Sequence, residues 1–273
     1  LLKISITFRY LFTTLRLFCM QNWNLIFGIF IISSPILFAM IAFPDSIAWS
    51  WNEGRGGYFF ALVFVVAELI GLKIIISKKR LFSVIPLALL TISYLISLEY
   101  GLREFLIESA TQFNVQLIYS WTWMWDFIIM AIFIVVALTL FFGKRWIRIA
   151  PAGPIFLSGT AIILSLDAFF PYDTLGPLQY IVPYFVQANV WIITALDLGT
   201  AIARDNIMFL RGDHGSMALQ VFWPSAGVHS IIIFSLVIGA FMLKMNIMKS
   251  RKIVYFIIGI IGTIIVNLIR IFS

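Results

Sequence analysis

Cysteine is nearly missing: Cys19 is the only one in 273 residues. A single thiol excludes an intramolecular disulfide and any cysteine-built metal site. Histidine is almost as scarce. His214 and His229 are the only two, too few for a histidine metal centre. Charged residues make up 11% of the chain, against about a quarter in an ordinary soluble domain. There is no Gly-rich phosphate loop, no His-Glu-x-x-His and no Gly-x-Ser-x-Gly elbow. These gaps exclude a disulfide scaffold and a Cys- or His-built metal centre, and no metal and no cofactor is expected.

What is present is apolar. Hydrophobic residues are 62% of the chain and the mean hydropathy is +1.04. Apolar runs of about 18 residues or more recur, each able to cross a bilayer core of roughly 30 Å. The short alternating segments of a barrel are absent. The expected fold is all-α: a polytopic transmembrane helical bundle of about seven spans, with interfacial or re-entrant helices besides. It forms one membrane domain, in a multi-pass protein of the plasma membrane. The net charge of +7 does not indicate nucleic acid, because Lys and Arg gather in short connections between the runs.

Residues 1–22 place Lys3, Arg9 and Arg16 among Leu, Phe and Ile, as an interfacial amphipathic lead-in would. The N-terminal membrane helices fill 23–183. Span 1 covers 23–43 and span 2 covers 57–77, with Glu68 at membrane depth. Span 3 covers 81–98. Residues 99–123 carry Arg103, Glu104, Glu108 and Gln112 and read as a surface amphipathic helix. Span 4 is 125–142 and span 5 is 155–170, with Asp167 near its far end. Region 184–273 carries the motifs. In it, 184–203 is ambiguous, 204–221 is too polar for lipid and Arg211-Gly212-Asp213 suggests a tight turn. Spans 7 and 8 cover 227–243 and 253–272.

The basic loops at 78–80, 144–148 and 244–252 set the orientation, since such loops stay cytoplasmic. Spans 1 to 5 then alternate and leave 171–183 outside. One crossing, span 7, returns the chain to the loop at 244. Residues 184–203 therefore stay at the outer face or dip in and return, in keeping with Gln187, Asn189 and Asp197. Ser225 and Arg270, far apart in sequence, arrive at the same extracytoplasmic level.

Ser225 lies in Phe222-Trp-Pro-Ser-Ala-Gly-Val-His-Ser230 at the start of span 7. Pro and Ser there could simply open a helix. They could also set a hydroxyl against helix amide groups that stabilise negative charge. Gly227 is small enough to admit a substrate backbone. His229 lies four residues on and could accept a proton, or could be an interfacial polar residue. Asn267 and Arg270 share a face of span 8, where lipid would not tolerate them unless they faced protein. Arg270 could snorkel or steady an oxyanion, but it stays charged and cannot serve as a base. Glu68 and Asp167 could make helix–helix bonds, pair with a cation, or line an ion path.

The stretches Trp223-Pro-Ser-Ala-Gly-Val-His-Ser230 and Asn267-Leu-Ile-Arg-Ile271 resemble the exosortase/archaeosortase family of multispan membrane cysteine peptidases. The wording is most similar to its archaeal, thaumarchaeal-type branch. The resemblance covers 184–273; the first half agrees only in hydropathy. It implies a transpeptidase-type sorting enzyme that cleaves C-terminal sorting signals of exported proteins at the outer face. Its partners would be C-terminal transmembrane tails, membrane lipid and a lipid acceptor. It assigns Ser225 to the nucleophile position, with Arg270 and His229 catalytic and Asn267 and Gly227 at the substrate.

Two departures follow. The family has Cys where this chain has Ser225, and a hydroxyl needs a true general base. That leaves an inactive form, a serine variant using His229 or His214, or a lineage without peptidase activity. The family also has a further Arg or His one span beyond the Asn-x-x-Arg stretch, after the point where this sequence reaches Ser273. The contrasting expectation is an inactive family member or a structural subunit of a membrane complex. A small-molecule transporter would need ion dependence at Glu68 or Asp167.

Overall fold

The computed structural model describes residues 23–48, 54–70, 72, 74, 76–171, 177–212, 215–223 and 226–272. The expected lead-in at 1–22 lies outside the described residues, as do Trp49, Trp51, Glu53, Asp213, His214 and Ser225. The described chain is mostly helical. In order come α1 (Trp23–Ala42), α2 (Pro44–Ala48), α3 (Gly57–Leu69), α4 (Lys78–Ser97), α5 (Leu102–Gln112), α6 (Ile118–Phe142) and α7 (Trp146–Ile149). They are followed by α8 (Ala152–Phe169), α9 (Val182–Ala195), strands β1 (Thr200–Arg204), β2 (Ile207–Gly212) and β3 (Gly215–Gln220), then α10 (Val228–Lys244) and α11 (Lys249–Phe272).

Five stretches among the described residues are helical, long and apolar enough to cross a membrane: Trp23–Ala42, Lys78–Tyr100, Ile118–Ile149, Ala152–Phe169 and Lys249–Ile269. Two further apolar helices, Gly57–Leu69 and Val228–Lys244, are shorter. The helix expected over 57–77 stops at Leu69, and Ile70 turns extended with ψ 131°. The stretch that follows is rich in β-branched isoleucine, which keeps its hydropathy high while weakening its helix preference. Asn24 Nδ2 binds the carbonyl of Ile76 at 2.9 Å, so backbone without helical partners is satisfied from α1.

The region 99–123 is not one surface helix. α5 ends at Gln112, Asn114 takes a left-handed φ of 53°, and α6 starts at Ile118, earlier than the expected 125. The ambiguous segment at 184–203 divides between α9, whose 14 residues rise only about 21 Å, short of a hydrocarbon core, and strand β1.

The polar stretch after it forms an antiparallel sheet in the order β1-β2-β3. This is the one departure from an all-helical chain among the described residues. Arg204 pairs with Ile207 and Arg211 with Ser216. Asp205, at φ 52°, makes the tight β1–β2 connection. Arg211 and Gly212, expected in a turn, are ladder residues of β2, and Gly212 pairs with Gly215.

The structure forms two compact units, neither contiguous in sequence: 1–104 with 126–157, and 105–125 with 158–273. In the first, α1 packs on α3 and α4. A Cβ on Gly153 would run into Val65, so glycine lets the start of α8 lie close on α3. Glu68 Oε2 then accepts from the backbone N–H of Ala152 at 2.9 Å, a carboxylate at a helix N-terminus. In the second unit, α9 packs on β1, β2 and α11, and α10 packs on α11.

Candidate functional site

The start of α10 is held from three directions within the second unit. Gln179 comes first. Its Nε2 donates to the carbonyl of Val221 at 3.2 Å, and its Oε1 accepts from the N–H of Trp223 at 3.0 Å. The buried amide thus stands in for a strand partner and fixes 221–223. The chain on either side of 224–225 is then closed by backbone bonds. The N–H of Ala226 reaches the carbonyl of Phe222 at 2.8 Å, and that of Val228 reaches Trp223 at 3.3 Å.

Second comes Asn267 of α11, buried at 3% exposure. Its Nδ2 donates to the carbonyl of Gly227 at 3.2 Å. Gly227 has a left-handed φ of 78°, which glycine adopts without strain. A Cβ there would overlap the Asn267 amide. The space that glycine leaves, expected to admit a substrate backbone, is filled by Asn267.

Third comes Asp167, near the end of α8. Its Oδ2 lies 3.3 Å from Nε2 of His229, with side-chain exposures of 7% and 5%. The imidazole also meets Trp223 edge to face, centroids 4.5 Å apart at 81°. His229 therefore has a carboxylate beside one nitrogen and an aromatic wall against its ring.

Of the residues expected at the site, Gly227, His229 and Asn267 come together here. Ser225 lies outside the described residues, between pinned flanks. Arg270 lies on α11 one turn after Asn267; its side chain is outside what is described. His229 is not exposed at an interface; it is buried, with Nε2 3.3 Å from the Asp167 carboxylate. Sequence reasoning missed Gln179, whose only signal was an amide in a Tyr-rich connection. It noted Asp167 without a partner.

A second polar centre lies in the first unit. Asp126 is fully buried. Its Oδ2 receives Arg55 Nε at 3.0 Å and Arg103 Nη2 at 3.2 Å. Tyr94 donates to Oδ1 at 2.8 Å, and Tyr58 donates to the Asp126 backbone carbonyl at 2.8 Å. Arg55 also donates to Ser46 at 3.0 Å and stacks over Phe43 at 4.7 Å. Asp126 went unnoticed in the sequence, a lone acid among tryptophans.

Glu68 and Asp167, the acids considered for an ion path, each have a protein partner. Among the described residues no group of three or more His, Cys, Asp or Glu side chains is placed to hold a metal ion. Compared with known proteins, the chain matches no family model, no curated protein and no solved structure.

Proposed function

We propose that this chain is a multi-pass membrane sorting peptidase or transpeptidase of exosortase/archaeosortase type. Seven segments cross the bilayer: the five long helices, α10, and the stretch 57–77, of which α3 is the helical part. The basic connections lie in the cytoplasm and the start of α10 at the outer face of the plasma membrane. An exported protein presents a C-terminal transmembrane tail with a short motif at that face. Ser225 attacks the motif's carbonyl, Arg270 steadies the oxyanion, and His229 takes the proton. The acyl group passes to water or to a lipid acceptor.

The observation that supports this reading is the hydrogen bond from Asn267 to Gly227. It joins the two stretches that carry the family resemblance, and residue 270 follows Asn267 by about one helical turn on α11.

The test is coexpression with an exported protein ending in a motif, an apolar helix and a basic tail. Mass spectrometry of the product should show trimming by the parent and by Ser225→Cys, and none by Ser225→Ala or Arg270→Ala. An intact substrate with both parent and Ser225→Cys, together with no effect of Arg270→Ala, overturns the proposal. Serine in place of the family's cysteine favours a second reading, a tail-binding protein without peptidase activity. Stable capture of the untrimmed tail would be its mark.

A further inference from the structure

Strand β3 lies at one edge of the sheet. Its pairing with β2 runs in continuous register from Gly212 opposite Gly215 to Ile207 opposite Gln220. All six of its residues are exposed. The strand at the other edge, β1, lies against α9. One bond shows which backbone groups of β3 point outward. The N–H of Val221 reaches the carbonyl of Asn206 at 2.8 Å, so 206 and 221 form a hydrogen-bonded pair. Such pairs alternate along an antiparallel ladder. Gly215, Met217 and Leu219 therefore turn their N–H and C=O groups toward β2. Those of Ser216, Ala218 and Gln220 face away from it. Among the described residues nothing pairs with them.

An open edge accepts another strand, and folded proteins guard against this with charge, proline, bulges or a covering segment. β3 has none of these among the described residues. Its sequence, Gly-Ser-Met-Ala-Leu-Gln, holds no charge and no proline, and its register to β2 has no bulge. The natural complement to such a row of N–H and C=O groups is another extended backbone. Side chains beside the edge narrow the choice. Thr200, Arg211 and Ser216 stand in one row across the sheet, and Ile202, Phe209 and Ala218 stand in the next row on the same face. Ile202 is 65% exposed and Phe209 43%. These two rows border an open hollow of about 400 Å³. Ala218 is small, so a large side chain on an added strand can lean over it toward Phe209. A residue two positions away on that strand lies beside Ser216, whose cross-strand neighbour is Arg211.

We infer that the β3 edge takes an extended peptide as a fourth strand. The peptide is the segment of an exported, membrane-anchored protein just outside its transmembrane helix. It carries an apolar residue over Ala218 and an acidic residue on the Arg211 side, two positions apart. This deepens the reading above and rests on its partner, not on cleavage of that partner. Size favours such a peptide over a second copy of the chain. Six residues span only about 20 Å, a poor source of the about 800 Å² per partner that a stable interface buries. A tail anchored in the same bilayer needs far less, because tethering raises its effective concentration. Position favours it too. β3 leads directly into 221–223, which Gln179 fixes at 3.2 Å and 3.0 Å ahead of α10. A strand laid on β3 is thus aligned toward the stretch that carries the resemblance.

The test uses the full chain in lipid vesicles with a synthetic probe. The probe is a single apolar helix with a basic tail, preceded by Thr-Val-Thr-Asp-Thr-Phe-Thr-Val and a benzophenone photocrosslinker. Adducts mapped by mass spectrometry should fall on 215–220. N-methylation of one alternate set of the segment's amides should remove the adduct, and methylation of the other set should leave it. Ala218→Pro takes away an outward N–H and no bond to β2, so the ladder stays and adduct yield should fall by about tenfold or more. Arg211→Glu should weaken the Asp probe and strengthen one with Lys in place of Asp. Adducts that lie elsewhere, or that ignore both methylated sets, overturn the inference without any change to the protein. A dimer of the parent that Ala218→Pro dissolves overturns it in favour of a second copy. Adducts on β3 with no trimming by the parent or by Ser225→Cys remove the peptidase reading and leave the inference standing. Trimming that proceeds with no adduct on β3 does the reverse.

Discussion

Asn267 reaches across 40 positions of sequence to bind the carbonyl of Gly227, and its amide occupies the space where any other residue at 227 would carry a Cβ. Gly227→Ala therefore meets two obstacles, the left-handed φ of 78° and the amide. The backbone term alone costs about 1–2 kcal/mol. The thermal midpoint of the purified protein should fall by several degrees. Asn267→Ala should recover part of the loss, so that the double variant is more stable than the sum of the singles. Strict additivity would mean that the two residues do not touch.

Asp126 is expected to be the most sensitive charged residue of the first unit. Asp126→Asn removes the carboxylate that Arg55 and Arg103 share. Breaking a buried pair in this way costs about 3–5 kcal/mol. Arg55→Gln should cost more than Arg103→Gln, because the side-chain exposures are 3% and 22%. Thermal melts of the three single variants give the order. A milder effect for Asp126→Asn than for Arg103→Gln would contradict the network.

Much of the helix pattern was legible because long apolar runs between basic loops leave little choice. The rest depended on signals that hydropathy lacks. Isoleucines after Leu69 look alike in a helix or an extended chain, so α3 read too long. The sheet had signals of its own: Asp205-Asn206 between two alternating runs, then glycines at 212 and 215. They were overshadowed by the polarity of the segment. At the site, His229 and Asn267 stood out as polar residues in apolar helices, and the resemblance singled out the same stretches. Their partners did not stand out. Asp126 meets Arg55 across 71 positions and Gln179 meets Trp223 across 44, pairings that only the tertiary fold makes.

The β1–β2 connection offers a local test. Asp205 sits at φ 52°, tolerable for Asp and easy for Gly. Asp205→Gly should leave the sheet within about 0.5 kcal/mol of the parent, while Asp205→Val should cost about 1–2 kcal/mol. Limited proteolysis between 200 and 220 reads this out, with faster cleavage for the valine variant alone.

The contact between Glu68 and the amide of Ala152 spans 84 residues, and this bears on the order in which the chain can assemble. A ribosome delivers the acid long before the amide exists. Until then the first turn of α8 lacks this acceptor. The first unit thus closes late, when its last-made helix returns to a group laid down near the beginning. A fragment starting beyond residue 69 would carry every residue of α8 and still lack the acceptor for the Ala152 amide.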